Sequence, residues 1–180
     1  ACVAGTLDLS DAVRVVVQRS RVLQQALCRM GDSTGMAALR VSDEEAEELI
    51  EDLRERVWIS VHNSPKYTVL SGDRAILEEL VAGLRHRKIG ARMMNVPGAA
   101  HTPLLEPVAA ELQAALDGLV CHDEVVPFYS TLLDSGENSR GLDARYWAES
   151  VCRPVRFASA VRSLVRDGVR CFLELGPHPI

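Results

Sequence analysis

The sequence predicts an α/β protein in which a small inserted β-α-β-β-α-β unit lies between two flanks that share a parallel sheet. Three observations support this prediction. Apolar residues recur at helical spacing in several long segments, short runs rich in β-branched residues separate these segments, and Gly-, Pro- and Asp-containing turns punctuate them. Strands that alternate with helices in the flanks are typical of a parallel sheet.

The first flank is predicted to begin with a long helix. Ser10 and Asp11 are typical of a helix start, and valines and leucines follow at helical spacing as far as Met30. The segment 31–35, Gly-Asp-Ser-Thr-Gly, then breaks the helix. We expect residues 1–35 to form the first part of a large subdomain.

The middle of the chain is predicted to form a small subdomain over residues 36–97. Its expected elements are a strand over 36–41, a helix from Ser42 to about Arg56 that starts with a capping box, strands over 57–61 and 67–70, a helix capped by Asp73, and a strand over 91–96. The order β-α-β-β-α-β is that of the split ferredoxin-like arrangement. We therefore interpret this segment as an inserted ferredoxin-like subdomain.

Residues 98–180 are predicted to form the second part of the large subdomain. The expected elements are a helix after Thr102-Pro103, a strand-like run over 125–130, a helix beginning at Asp143, a helix from Phe157, and a buried parallel strand over 169–175. These elements supply the strands and helices that a parallel sheet needs.

Charge and cysteine content exclude several classes of protein. The chain has 20 Lys+Arg against 25 Asp+Glu, a net charge of −5, which disfavours nucleic-acid binding. No apolar run reaches the roughly 18 residues of a membrane span, and the N-terminal residues do not resemble a signal peptide. The five scattered cysteines indicate buried thiols in a reducing compartment. Cys121 to Glu124 contains four potential ligands, but no second pair completes a metal site. We expect a cytoplasmic protein without a metal, which binds neither nucleic acid nor a membrane.

One short motif matches a known nucleophile site in an unsuitable context. Residues 31–35 fit the G-x-S-x-G nucleophile elbow, with Ser33 at its centre. The elbow needs a strand before the serine and a helix after it, and here the predicted order is reversed. We therefore predict that Ser33 is not a nucleophile.

His101 is the first candidate for chemistry. It follows three small residues, Gly98-Ala99-Ala100, at a predicted strand-to-helix junction. A neutral imidazole there can take a proton from a hydroxyl nucleophile and return it to a leaving thiol. The alternative is a histidine that only bonds to a helix end.

Arg19 is the second candidate. It lies among valines in the first predicted helix, where a guanidinium can hold a carboxylate through two parallel hydrogen bonds. The alternative is an ordinary surface arginine, because Arg14 and Arg21 lie nearby with an equal claim.

Several segments, taken together and in chain order, carry a family resemblance. They are Val3-Ala4-Gly5 with Leu9-Ser10-Asp11-Ala12, Gln18-Arg19-Ser20-Arg21, Gly35-Met36-Ala37, Asn63-Ser64-Pro65 with Thr68-Val69-Leu70-Ser71-Gly72, Ala100-His101-Thr102-Pro103, Val126-Pro127-Phe128-Tyr129-Ser130-Thr131, Tyr146-Trp147, Arg153-Pro154-Val155-Arg156-Phe157, and Glu174-Leu175-Gly176-Pro177-His178-Pro179. Over essentially its whole length the chain resembles the acyltransferase domain of type I polyketide synthases. More loosely, it is similar to the stand-alone malonyl-CoA:acyl-carrier-protein transacylases.

The resemblance implies an α/β-hydrolase-like large subdomain, here incomplete, with a ferredoxin-like insert. It implies transfer of a malonyl-type extender unit from CoA, through an acyl-serine, to the phosphopantetheine thiol of an acyl carrier protein. No cofactor is implied: malonyl-CoA or a substituted malonyl-CoA is the substrate, and the phosphopantetheine belongs to the carrier protein. A ketosynthase domain is the implied neighbour. By motif, Arg19 would pair with the extender's free carboxylate and His101 would be the catalytic base.

The chain departs from the family pattern at the nucleophile. The family's serine lies in a G-H-S-x-G elbow that these 180 residues do not contain. By motif spacing it would precede Ala1, so we expect an N-terminally truncated domain that forms no acyl-enzyme by itself. A second hypothesis therefore stays open, in which the chain is a non-catalytic scaffold that docks carrier or ketosynthase domains. The residues upstream of Ala1 would separate the two.

Two further departures concern the surroundings of the histidine. Where Ser150 stands, the family usually has asparagine or glutamine, whose backbone carbonyl orients the histidine. The tetrapeptide that ends in the histidine is neither the His-Ala-Phe-His of malonyl-selective members nor the Tyr-Ala-Ser-His of methylmalonyl-selective ones. We expect Gly98, Ala99 and Ala100 to contact the substrate, with Gly98 and Ala100 leaving room beside the extender's α-carbon.

Overall fold

The computed structural model describes residues 1–133 and 141–175, which form helices around one four-stranded sheet. The helices are α1 (Leu9–Met30), α2 (Asp43–Leu49), α3 (Arg74–His86), α4 (Glu106–Ala115), α5 (Ala144–Cys152) and α6 (Phe157–Arg166). The strands are β1 (Thr34–Leu39), β2 (Val57–Ser64), β3 (Tyr67–Asp73) and β4 (Ala91–Met93). None of the described helices is both long and apolar enough to cross a lipid bilayer.

Helix α1 confirms the first predicted element. It ends at Gly31, which has φ 56° and donates its N–H to the carbonyl of Leu27. Glycine reaches this left-handed conformation without a steric penalty, so it suits a helix C-terminus. The buried face of α1 carries Val15, Val22 and Ala26.

The small sheet has the strand order β2-β3-β1-β4, and each neighbouring pair is antiparallel. The element order from β1 to β4 is the predicted β-α-β-β-α-β. The predicted helix starts are also present: Ser42 and Glu45 form a capping box at α2, and Asp73 accepts hydrogen bonds from the N–H groups of Ala75 and Ile76 at α3. Helices α2 and α3 pack on one face of the sheet through a cluster that includes Leu39, Ala46, Ile50, Leu70, Leu77 and Val81.

The opposite face of the sheet supports the loop that carries His101. Met36, Ala38 and Val69 form a buried cluster on this face, and Val96 and Ala100 pack against it. A second core joins α1, α4 and α5 through Val15, Val22, Leu112, Leu116, Ala148 and Val151. The loop between β4 and α4 therefore runs between the sheet and the helical part.

Segment 153–155 connects the helical part to the edge of the sheet. The N–H of His62 donates to the carbonyl of Val155 at 2.8 Å, and the N–H of Val155 donates to the carbonyl of Ser60 at 2.9 Å. Val61 and Val155 thus form an isolated parallel bridge. The backbone that follows α5 is fixed to β2 by these two hydrogen bonds.

Several predicted elements differ from the structure. Helix α2 ends at Leu49 and gives way to a 3-10 turn over Glu51–Leu53, short of Arg56. The predicted strands over 125–130 and 169–175 are wrong, and the described residues contain no parallel sheet in the flanks. The physical reason is that a strand needs a neighbour for its N–H and C=O groups. Residues 169–175 do not pair with a strand of the described sheet, and Leu173 and Leu175 are 83% and 88% exposed. Cys2, Cys28 and Cys171 are exposed, so the prediction of buried thiols is wrong for these three residues.

Candidate active site

A cavity of about 540 Å³ lies where α1, the His101 loop and α5 meet. Its lining includes Arg19 from α1, His101 from the loop before α4, Trp147 and Ser150 from α5, and Arg153. The structure therefore brings together the two residues that the sequence singled out for chemistry, although they are far apart in the chain.

Arg19 presents a half-buried guanidinium to this cavity. Burial lowers its pKa, because desolvation disfavours the charged form. In residues 1–133 and 141–175, neither a carboxylate nor another hydrogen-bonding group is paired with it. A buried charge without a partner favours an anionic ligand, which would offset the cost of its burial.

The competing arginines of α1 have other environments. Arg14 donates to the carbonyls of Ala115 and Asp117, at 2.9 and 2.7 Å, and so closes the C-terminus of α4. Arg21 is exposed and does not line the cavity. Of the three arginines, only Arg19 faces the cavity that holds His101.

His101 is held in an unusual backbone conformation. Its φ is 58°, in the left-handed region that non-glycine residues rarely adopt. The N–H of His101 donates to the carbonyl of Val151 at 3.2 Å, and Nδ1 lies 3.2 Å from the carbonyl of Arg153. A carbonyl only accepts, so Nδ1 carries the proton and Nε2 of the neutral ring is the basic nitrogen.

The surroundings of His101 favour its neutral form. Burial lowers the pKa of the imidazole, and the positive charge of Arg19 lowers it further. The backbone carbonyls of Arg153 and Ser150 act in the opposite direction, and the net shift is below the ordinary 6.5. The imidazole is therefore neutral near pH 7 and able to accept a proton.

Ser150 meets His101 through its backbone. Its carbonyl interacts with the imidazole, and its hydroxyl donates to the carbonyl of Trp147 at 2.6 Å within α5. The side chain is thus satisfied locally, while the main chain faces the histidine. The histidine-orienting role that the family resemblance implies for this position stays a prediction.

Gly98, Ala99 and Ala100 are placed differently from our expectation, because none of them lines the described part of the cavity. Gly98 faces α1, Ala99 is fully buried, and Ala100 packs against the sheet. Their small size makes room for neighbouring protein atoms. Their contact with substrate stays a prediction that this geometry does not favour.

Ser33 and the potential ligands Cys121 to Glu124 do not line the cavity. The hydroxyl of Ser33 donates to the carbonyl of Met30 at 2.6 Å in an exposed turn, between a helix and a strand. The described residues contain no group of three or more His, Cys, Asp or Glu that could hold a metal ion. His178 lies outside the described residues.

The structure adds residues to which the sequence gave no role. Tyr146 and Trp147 line the cavity with their rings perpendicular and 5.1 Å apart, and the indole N–H of Trp147 donates to the carbonyl of Leu142. Arg153 lines the same cavity while its carbonyl bonds to His101. Their presence in the segments that carry the resemblance was the only signal for them.

Comparisons with known proteins show the family to which the chain belongs. The family profile described as "Acyl transferase domain" matches residues 1–180. The chain is 38% identical over 181 residues to the spectinabilin polyketide synthase system protein NorA' of Streptomyces orinoci. It is also similar to two solved structures: the acyltransferase domain from module 8 of the salinomycin polyketide synthase (35% identity, TM-score 0.80) and a loading acyltransferase from the avermectin modular polyketide synthase (31% identity, TM-score 0.86).

The matched proteins are longer than this chain. The match to NorA' covers 100% of the chain and 5% of that protein. The matches to the two structures cover 93% and 100% of this chain, and 38% and 57% of the salinomycin and avermectin chains. The similarity therefore extends over the whole chain and over a part of each relative.

Proposed function

The chain belongs to the acyl transferase domain family, and we propose that it serves the transfer of a malonyl-type extender unit from CoA to the phosphopantetheine thiol of an acyl carrier protein. One observation carries the proposal: Arg19 and His101 line one cavity, with an unpaired guanidinium beside a neutral imidazole. A malonyl thioester needs both groups, because it has a free carboxylate at one end and a carbonyl to be attacked at the other.

Arg19 would bind the free carboxylate. The planar guanidinium can donate two parallel hydrogen bonds to the two oxygens, which fixes the acyl group in one orientation. A plain acyl group leaves the half-buried charge without a partner. Arg19 would thereby select dicarboxylic acyl groups over monocarboxylic ones.

His101 would move one proton in each half of the reaction. Its Nε2 takes the proton of a serine hydroxyl as the serine oxygen attacks the thioester carbonyl, and gives that proton to the sulfur of the departing CoA. In the second half, Nε2 takes the proton of the carrier's thiol, whose sulfur attacks the acyl-serine. The serine oxygen leaves and recovers the proton.

The proposal assigns the nucleophile to a serine in a G-H-S-x-G elbow preceding Ala1. Ser33 bonds to the carbonyl of Met30 and Ser150 to that of Trp147. No described serine has a side-chain hydrogen bond to the imidazole of His101. Residues 1–180 alone would then form no acyl-enzyme.

The finer architecture belongs to the same proposal. Residues 36–97 would be a ferredoxin-like insert, and residues 1–35 and 98–180 would be parts of an α/β-hydrolase-like large subdomain. The antiparallel order β2-β3-β1-β4 supports the first assignment. We place the domain in the cytoplasm, beside a ketosynthase domain.

The test uses the natural polypeptide that contains residues 1–180, with labelled malonyl-CoA and a holo acyl carrier protein. We expect label on the polypeptide first and on the carrier protein afterwards. His101→Ala should abolish both signals, whereas Arg21→Ala, an exposed position on α1, should retain both. Wild-type polypeptide that binds the carrier protein without acquiring label would refute the proposal and favour the scaffold hypothesis.

A further inference from the structure

Leu27 of α1 occupies the space in front of Gly98. A Cβ atom added at Gly98 would lie 2.5 Å from Cδ2 of Leu27 and 3.5 Å from its Cβ and Cγ. Real Cβ atoms do not approach other heavy atoms this closely, so a side chain at Gly98 would displace either the loop or Leu27. Gly98 also has φ 64°, which favours glycine for a second reason.

The same helix carries Arg19. Leu27 follows Arg19 by eight residues, about 12 Å along the helix axis and about 80° around it. A helix of this length is stiff, so the positions of Arg19 and Leu27 relative to each other change little. The contact between Leu27 and Gly98 therefore fixes the His101 loop to the element that holds the guanidinium.

The loop also has contacts with elements other than α1. Ala100 packs against the buried cluster of the sheet, and the hydroxyl of Thr102 donates to the carbonyl of Ala99 at 3.1 Å. The imidazole of His101 bonds to the backbone that follows α5. These contacts set the conformation of the loop, and the side chain of Leu27 limits how closely the loop approaches α1.

We propose that Leu27 is a positioning residue for His101: its side chain, seated over Gly98, sets the separation between the His101 imidazole and the Arg19 guanidinium. The proposal rests on the roles proposed above for these two residues. It also assigns Gly98 a reason to be glycine that does not involve substrate. The positions of both side chains in the cavity would then depend on helix α1.

The first test enlarges the residue at position 98 and then shortens the side chain at position 27. Gly98→Ala should move the loop away from α1 and lower the rate of malonyl transfer about tenfold to hundredfold, as expected for a misplacement of the order of 1 Å. Leu27→Ala added to Gly98→Ala removes the collision but keeps the left-handed φ. If the double variant recovers the rate, the loss in Gly98→Ala comes from the collision with Leu27 and not from backbone strain at position 98.

The second readout is the titration of the His101 imidazole by NMR, assigned by the loss of its signal in His101→Gln. With the loop displaced from Arg19, the imidazole pKa should rise towards its ordinary value in Gly98→Ala and return in the double variant. Gly83→Ala is the control, because nothing lies within 4 Å of a Cβ at that helical glycine. It should leave the rate and the titration unchanged.

The outcomes separate this inference from the proposed function. An unchanged titration in Gly98→Ala, or a double variant no better than the single one, overturns the inference. If Gly98→Ala does not fold, Leu27→Phe enlarges the same contact and keeps the glycine; a raised pKa supports the inference, and an unchanged pKa overturns it. A wild-type polypeptide that titrates as expected but transfers no malonyl group contradicts the proposed function alone.

Discussion

Arg19 and His101 line the same cavity, and the charge of the guanidinium lowers the pKa of the imidazole. Burial is the larger cause of the lowered imidazole pKa, and the cation adds to it. A carboxylate bound to Arg19 would neutralise that charge. If Arg19 and His101 have the proposed roles, binding of the acyl group would raise the pKa of the base.

Arg19→Ala should remove selectivity for the carboxylate. Two hydrogen bonds to charged groups contribute roughly 1.5–3 kcal/mol each, and about 1.4 kcal/mol corresponds to a tenfold change. We expect kcat/KM for malonyl-CoA to fall about 10²- to 10⁴-fold, while that for acetyl-CoA changes little. Steady-state transfer to the carrier protein measures both, with Arg21→Ala as the matched control. Equal losses for the two substrates would contradict the assigned role.

Arg19→Gln should shift the pH dependence. In the wild type the imidazole pKa lies below 6.5 because of burial and the nearby cation, so the acidic limb of kcat/KM should fall below pH 6.5. Removing the positive charge makes the imidazolium less unfavourable, so the pKa rises and the limb moves to higher pH. Acetyl-CoA is the suitable substrate, since it does not need the guanidinium. A limb at the same pH in both proteins would show that the charge does not act on His101.

Ser150→Ala should have little effect on transfer. The serine meets the imidazole through its main-chain carbonyl, and its hydroxyl only bonds within α5. A change within about 0.5 kcal/mol corresponds to roughly a twofold change in rate. Labelled transfer compared with wild type and with His101→Ala measures it. A loss as large as that of His101→Ala would assign the hydroxyl a direct role.

Ser60→Ala should destabilise the sheet. Ser60 and Ser71 are fully buried; the hydroxyl of Ser71 donates to that of Ser60 at 2.7 Å, which in turn donates to the carbonyl of Val69. Removing the Ser60 hydroxyl leaves that of Ser71 without its acceptor, at a cost of about 1–3 kcal/mol. The pair Ser60→Ala/Ser71→Ala should cost less than the sum of the single changes, as urea denaturation would show. Ser33→Ala, at an exposed turn, is the control, and strict additivity would contradict the coupling.

The sequence predicted the small sheet well because its signals are local. Ser42 and Asp73 are capping residues that mark the starts of α2 and α3, and turn residues separate the strands. The β-α-β-β-α-β order can therefore be predicted from short segments. The strands predicted over 125–130 and 169–175 failed because apolar composition does not tell whether a neighbouring strand is present. Only tertiary contacts decide that.

The site was predicted in part for the same reason. Arg19 and His101 were identified by residue chemistry and by motif, and the fold brings them to one cavity. Gly98 was interpreted as space for a substrate, which stays a prediction, and in the structure Leu27 lies in front of it. No local pattern links these two residues, because the contact depends on how α1 packs against a distant loop.

The bridge between Val61 and Val155 has a consequence for self-association. Strand β2 is an edge of the sheet, and exposed edges offer unpaired N–H and C=O groups to strands of other molecules. Here the carbonyl of Ser60 and the N–H of His62 are already engaged by Val155, and the other edge, β4, is only three residues long. Both borders of the sheet are thus poor templates for a foreign strand, which protects the protein against edge-to-edge aggregation.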